Sequence, residues 1–128
     1  MHALNELERL YEGEGRWAEV VTTLKSKIAI TEELEGKVEL YLQSARIWEL
    51  QVMDIDKAAE EYMSILDLDP ERESTFELLE ELYTNNEKWQ ELLSAYLERA
   101  DVISDAKKRL ELLFKGTNIA EEKLAQPD

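Results

Sequence analysis

Residues 10–17 read LYEGEGRW, and this stretch decides the fold because residues 82–89, LYTNNEKW, repeat its pattern. In both copies a Leu-Tyr pair ends one apolar run, a short polar or Gly-rich turn follows, and a Trp opens the next run. The separation is 72 residues at both ends of the stretch, 82 minus 10 and 89 minus 17. The chain therefore repeats a helical hairpin, and repetition at a fixed period is typical of stacked units.

Apolar residues recur at three- and four-residue spacing along the chain, which predicts an all-α fold of about seven helices. The first helix carries Leu4, Leu7 and Leu10 on one face, and the third is expected to reach about Val52. Residues 54–56 mark the next boundary, where an Asp can cap the fourth helix. Short connections make neighbouring helices antiparallel, and the repeat favours a solenoid over a closed bundle.

The turn chemistry differs between the two copies of the stretch. Gly13 and Gly15 end the first helix, since Gly tolerates the left-handed conformation found there. Asn85 and Asn86 are expected to replace these glycines, because Asn also accepts a positive φ. The tryptophans and most tyrosines lie on the apolar stripes and are predicted to pack in the core: Tyr11, Trp17, Trp48, Tyr62, Tyr83, Trp89 and Tyr96.

The charge balance limits the classes of partner. The chain has 128 residues, with 30 acidic and 15 basic side chains and a formal charge of −15. Such a charge repels phosphate backbones and anionic lipids, so we expect no nucleic-acid binding and no membrane insertion. A basic protein or peptide would suit it, although acidity also serves solubility.

No targeting or membrane-spanning segment is evident in the sequence. The first residues lack the basic start and apolar run of a signal peptide, and no apolar stretch approaches about 20 residues. The chain begins directly inside a helical pattern, which suggests a piece of a longer protein. The compartment stays open between the cytoplasm, which is favoured, and the periplasm, which would need a signal elsewhere in a longer chain.

The sequence offers little for catalysis, cofactors or metals. There is no Cys, and His2 at the terminus is the sole imidazole. The alternating acids of residues 67–73 resemble a calcium loop, but Arg72 replaces the Gly that such a loop needs and Leu78 the bidentate Glu. We therefore expect a protein that is not an enzyme and binds no cofactor or metal.

The spacing of large and small residues resembles tetratricopeptide repeats, helix-turn-helix units of about 34 residues. The residues that carry the resemblance are Leu4, Leu7, Tyr11, Val20 and Leu24 in one unit, Tyr41, Ala45, Trp48, Ala58, Tyr62 and Pro70 in the next, and Phe76, Leu79, Tyr83, Leu92 and Tyr96 in a third. The chain resembles divergent bacterial arrays of this family. Glu8 and Glu80 depart from the small residue at the eighth position, which suggests looser helix packing there.

The resemblance implies a right-handed α-solenoid that forms a single domain. Its units would span about residues 1–33, 34–70 and 71–104, with a half unit at 105–125. In this family the first helix of each hairpin lines a concave groove. Carried over, the groove positions are Asn5, Arg9, Glu12, Glu39, Leu42, Arg46, Glu49, Glu77, Glu81, Asn85, Phe114 and Asn118.

Two functions follow from the resemblance. The first is a non-enzymatic protein–protein interaction scaffold that holds a peptide or helix, of basic character, in the groove. The alternative is an architectural spacer of a longer repeat protein that mediates self-association or assembly. It would be a monomer or associate weakly through exposed end helices.

Overall fold

The computed structural model describes residues 1–124, which form two compact units, Met1–Leu68 and a second that begins at Asp69. The first unit contains α1 (His2–Gly13), α2 (Trp17–Ile30), α3 (Leu34–Arg46), a π-helical segment (Ile47–Val52) that continues α3, and α4 (Ile55–Leu68). The second contains α5 (Glu73–Asn85), α6 (Trp89–Val102), α7 (Ala106–Ile119) and a π-helical segment (Ala120–Leu124) that continues α7. The described part has seven α-helices and no strand, so the all-α class is confirmed. Residue 125, the last of the expected half unit, lies outside the described residues.

The two copies of the opening stretch form the same turn. The amide of Arg16 donates to the carbonyl of Tyr11 at 2.9 Å, and the amide of Lys88 donates to that of Tyr83 at 2.9 Å. The residue before each of these amides has a left-handed backbone, with φ of 70° at Gly15 and 55° at Glu87. The 72-residue repeat of the sequence is therefore also a repeat of backbone geometry.

The expectation that Asn takes over the positive φ is wrong. Asn85 is the last residue of α5, and Asn86 has a φ of −105°. The side chain of Asn86 instead donates to the carbonyl of Leu82 at 2.8 Å and satisfies a group at the end of the helix. Glu87 consequently bears a conformation that costs a residue with a Cβ about 1–2 kcal/mol.

The core of the first unit comes from α2, α3 and α4, not from α1. Its buried apolar residues are Val20, Val21, Leu24, Ile28, Val38, Ala45, Ala58, Ala59, Tyr62 and Ile65. No residue of α1 is buried, and Leu7 and Leu10 of the predicted stripe are exposed. On the predicted apolar face of α1, Leu4 is therefore half-buried, whereas Leu7 and Leu10 lie at the surface.

The third helix ends as the sequence suggested. Its π-helical segment stops at Met53, whose φ of 63° places it in the left-handed region. Asp54 then accepts a hydrogen bond from the amide of Lys57 at 3.1 Å, which caps α4.

The core of the second unit joins α5 and α6 and is extended by α7. Its buried apolar residues are Phe76, Leu79, Leu82, Tyr83, Leu92, Tyr96, Ala100 and Ile103. Gly116 lets α7 approach α6, because a Cβ there would lie 3.3 Å from Leu93 Cδ1 and 3.7 Å from Tyr96 Cβ.

The tryptophans are more exposed than the sequence predicted. Trp17, Trp48 and Trp89 are each half-buried. Lys57 lies 5.2 Å from the ring centroid of Trp48, and Lys123 lies 5.1 Å from that of Trp89. Tyr11 is also half-buried, with the Arg16 guanidinium 5.0 Å from its ring centroid. Tyr11, Trp48 and Trp89 thus each combine partial burial with a cation–π contact.

A buried polar pair lies between α3 and α4. Ser44 is fully buried and Glu61 is 6% exposed. Neither Ser44 Oγ nor Glu61 Oε2 forms a hydrogen bond of ordinary geometry with another described residue. Burial raises the pKa of Glu61 above its usual value of 4.5, and the nearby Ser44 hydroxyl and the charge of Lys25 offset this only in part.

Replacement of Glu87 by Gly should stabilise the protein by about 0.5–1 kcal/mol, because Gly relieves the left-handed strain but loses more backbone entropy on folding. Gly15→Ala, the reciprocal change at the equivalent position, should destabilise by a similar amount. Urea unfolding of both variants measures these differences. A loss of stability in Glu87→Gly would show that the Glu87 side chain contributes more than its backbone costs.

Glu61→Gln should stabilise the protein at pH 7 by about 1 kcal/mol, since no charge is then buried. The pKa of Glu61 is higher in the folded state than the unfolded value of 4.5. Below pH 4.5 the side chain is therefore buried without charge and costs the protein no stability. This advantage is lost as the pH rises through the folded-state pKa, because the buried carboxyl then ionises. The stability gained by Glu61→Gln should therefore increase as the pH rises from 4.5 through the folded-state pKa, and it should vanish below pH 4.5. The exposed neighbour Glu60 provides the control Glu60→Gln, and an equal pH profile for both variants would contradict the assignment.

Candidate partner-binding groove

A cleft lies in the second unit, among residues of α5, α6 and α7. Its lining comes from α5, α6 and α7, and from the connections that precede α5 and follow α6. Its volume is about 380 Å³. Clefts that hold small ligands or anchoring side chains begin at about this size.

The floor of the cleft combines apolar side chains with one buried cation. Phe76, Ile103 and Leu112 supply the apolar surface, and Arg99 lies beside them. The Arg99 guanidinium is 5.0 Å from the ring centroid of Phe76 and donates a hydrogen bond to the carbonyl of Pro70. Burial lowers the pKa of Arg99, and the nearby carboxylates, Glu73 first, oppose this effect. Arg99 thus ties the start of α5 to the end of α6.

Glu80 and Lys115 of the cleft belong to a polar network of three residues. The hydroxyl of Tyr96 donates to Glu80, and Lys115 lies 3.2 Å from Glu80 Oε2. Burial, followed by the hydrogen bond and charge of Glu80, raises the pKa of the Tyr96 phenol. The network links all three helices, and it keeps Tyr96 as a hydrogen-bond donor at physiological pH.

The rim of the cleft is rich in carboxylates, most of which have partners. Glu71 accepts from the Ser104 hydroxyl at 3.2 Å, and Glu73 lies 3.5 Å from Lys108. Asp105 caps α7 by accepting from two backbone amides. Six lining residues are acidic and three are basic: Glu71, Glu73, Glu77, Glu80, Asp105 and Glu111 against Arg99, Lys108 and Lys115.

Two rim carboxylates form no contact with other charged or polar groups of the described residues. Glu77 on α5 and Glu111 on α7 are exposed and line the cleft, and neither forms a hydrogen bond or ion pair with another described residue. Because the basic lining residues already interact with acids or a carbonyl, the opening presents uncompensated negative charge above an apolar floor.

The two glutamates that depart from the family pattern each bond to the following helix. Glu8 on α1 forms a largely buried ion pair with Lys27 on α2, just as Glu80 on α5 accepts from Tyr96 on α6. Lys27 and Arg99 are themselves 72 residues apart (99 minus 27), and both are buried. A small residue at the eighth position is thus replaced by a polar contact between helices.

The predicted groove residues of the first unit are mostly exposed. Asn5, Arg9 and Glu12 lie on the open surface of α1, and partial desolvation together with the negative charge of Glu8 raises the pKa of Glu12. Glu39 and Arg46 are exposed, whereas Leu42 and Glu49 are half-buried. No described contact brings these residues into one site, so their role stays a prediction.

In the second unit, Glu77 is the predicted residue that lines the cleft. Glu81 and Asn85 are exposed further along α5, and on α7 Phe114 is exposed and Asn118 half-buried. These four lie outside the lining of the cleft.

Sequence reasoning missed Arg99, Glu111 and Lys115. Arg99 had a detectable signal, since it repeats Lys27 at the 72-residue period on the inner face of a helix. Glu111 and Lys115 had none, because surface charges are common in this sequence and the cleft depends on how α7 packs against α6.

His2 is exposed at the start of α1, and no group of three metal-binding side chains lies together in residues 1–124. No helix of the described part is long and apolar enough to cross a membrane.

The first part of the chain matches a known protein family. Residues 3–38, which span α1, α2 and the start of α3, match the family model described as a tetratricopeptide repeat. The search of the curated proteins gave no match.

Glu8→Ala should destabilise the protein by about 2–3 kcal/mol, because it leaves the charge of Lys27 buried without a partner. The double replacement Glu8→Leu with Lys27→Met removes both charges and should cost less than about 1 kcal/mol. Guanidinium unfolding of the two variants at matched pH measures the difference. Equal losses would show that side-chain packing, not the uncompensated charge, determines stability there.

Proposed function

We propose, from the premise that the chain belongs to the tetratricopeptide repeat family, that the cleft between α5 and α7 binds a basic, partly apolar segment of a partner protein. Tetratricopeptide repeats are in general non-catalytic protein–protein interaction modules. The match lies in the first unit, and the repeated turn at 82–89 extends the same hairpin design to the second unit. The segment and its place of binding are our proposal.

The observation that carries the proposal is the pair of uncompensated carboxylates, Glu77 and Glu111, above an apolar floor. A Lys or Arg side chain of a partner would donate charge-assisted hydrogen bonds to these groups. An apolar neighbour in the same segment would cover Phe76 and Leu112 on the floor. The formal charge of −15 would also accelerate the approach of a basic partner.

Specificity would come from the cleft and not from the overall charge. Any polycation is attracted to an acidic protein, and this attraction falls with salt. A segment that fills the cleft also buries apolar surface, which salt does not screen. We therefore expect affinity to fall only partly between low and physiological ionic strength.

A second candidate function, an architectural role in self-association, is favoured by exposed apolar residues on the first and the last helix of the described chain. Leu7 and Leu10 on α1 and Leu110, Leu113 and Phe114 on α7 are exposed. Apolar side chains grouped on an open helix face favour association.

The double variant Glu77→Lys with Glu111→Lys should weaken binding of a ten-residue probe of alternating Lys and Leu at least about tenfold, because attraction at the rim becomes repulsion. The matched control is Glu98→Lys with Asp101→Lys, since both residues are exposed on α6 outside the cleft and the charge change is equal. Calorimetry at physiological salt measures both affinities. Equal weakening by the two variants would mean that the probe senses net charge, and unchanged binding by the cleft variant would refute the proposal.

A further inference from the structure

The outward face of α7 and of the π-helical segment that continues it, which we define as Lys107, Leu110, Phe114, Thr117 and Glu121, is open to solvent. Phe114 is 69% exposed and Leu110 is 67% exposed. The other side of α7 packs on α6 through the buried Gly116. An α-helix returns to nearly the same direction every seven residues, so Lys107 and Phe114 share this face, and Glu121, the second residue of the π-helical segment that continues α7, lies close to it.

The face has a regular distribution of charge around its aromatic centre. Lys107 lies seven residues before Phe114, and Glu121 lies seven residues after it, about 10 Å away along the helix in each direction. Both side chains are exposed, and neither forms an ion pair with another described residue. The face is therefore basic at one end, apolar in the middle and acidic at the other.

This helix also differs in charge from the rest of the chain. Residues 106–124 contain five basic and three acidic side chains, a balance of +2. Residues 1–105 contain ten basic and 26 acidic side chains, a balance of −16. The repulsion that would keep two such acidic copies apart is thus weakest where α7 meets α7.

We propose that α7 pairs with α7 of a second copy of this chain, antiparallel and with a two-fold axis at Phe114. In this arrangement Lys107 of each copy lies opposite Glu121 of the other, because 107 and 121 are equally far from 114. Phe114 meets Phe114 of the second copy, and Leu110 packs beside them. A two-fold interface makes each contact twice, so one favourable ion pair becomes two.

The same residues disfavour the parallel arrangement. Parallel helices in register would place Lys107 against Lys107 and Glu121 against Glu121, and like charges repel. Buried phenylalanines favour either arrangement equally, so the charges determine the direction. A second copy of the chain, placed antiparallel, presents an acidic end to the basic end of this face, an apolar middle to its apolar middle, and a basic end to its acidic end.

The inference rests on the second, architectural, function and not on the cleft. Its test uses the chain without any peptide, so a failure of self-association leaves the proposed peptide binding untouched, and the reverse holds as well.

Sedimentation velocity of the 128-residue chain from low micromolar to about 1 mM should show a reversible dimer. Phe114→Glu should raise the dimer dissociation constant at least about a hundredfold, since it places two charges at the centre of the interface. Leu50→Glu, at a residue of the first unit that is 64% exposed, is the matched control and should leave the dimer intact. A monomer at every concentration would overturn the inference.

Charge reversal tests the direction of pairing. Lys107→Glu and Glu121→Lys should each weaken the dimer about tenfold, because each creates two repulsive contacts. The double variant restores opposite charges and should return the dissociation constant to within about threefold of the original. If Glu121→Lys strengthens the dimer instead, the more basic face of α7 must bind an acidic helix of the second copy, such as α1, in a head-to-tail arrangement. That result, or a double variant no stronger than the single ones, would overturn the antiparallel pairing.

Discussion

A tight helical turn, closed by one backbone hydrogen bond, is the constraint on which both units depend. The amides of Arg16 and Lys88 can reach the carbonyls of Tyr11 and Tyr83 only because the preceding residue adopts a left-handed backbone. That conformation reverses the chain within three residues and brings the next helix back along the previous one. At Gly15 it is compatible with the residue, and at Glu87 it is maintained against the preference of the side chain. The packing of the hairpin must therefore supply the free energy that holds Glu87 in place.

At the eighth position of the repeat pattern, where a small residue is expected, this chain has glutamates that form polar contacts between helices. Glu8 pairs with Lys27, and Glu80 accepts from Tyr96. In the second unit this network continues to Lys115 on α7, and Arg99 bonds to the Pro70 carbonyl. These contacts use most of the charges in the cleft for structure, and they leave Glu77 and Glu111 as the two carboxylates available to a partner. The candidate site thus consists of the two carboxylates that form no ion pair or hydrogen bond within the described fold.

The sequence predicted the helices well because apolar periodicity and turn residues act locally. The repeat of residues 10–17 at 82–89 identified the hairpin, and the eighth-position glutamates were recognised as departures. Burial was predicted less well, since Leu7, Leu10 and the three tryptophans lie on apolar stripes but at the outer edge of each core. The positive φ at Glu87 could not be read from side-chain preference, because the repeated backbone fixes it. Of the cleft, Glu77 was predicted from the family resemblance, while Arg99, Glu111 and Lys115 come together only through the packing of α5, α6 and α7.

Amide chemical-shift mapping of the nitrogen-15-labelled chain during titration with the Lys-Leu probe tests the central claim most directly, because it locates binding without a mutation. We expect the largest shifts around Glu77, Ser104, Glu111 and Lys115, and we expect them to saturate together with one dissociation constant. Shifts spread over the acidic surface, or centred on α1 and α3, would contradict the claim that the cleft between α5 and α7 is the binding site.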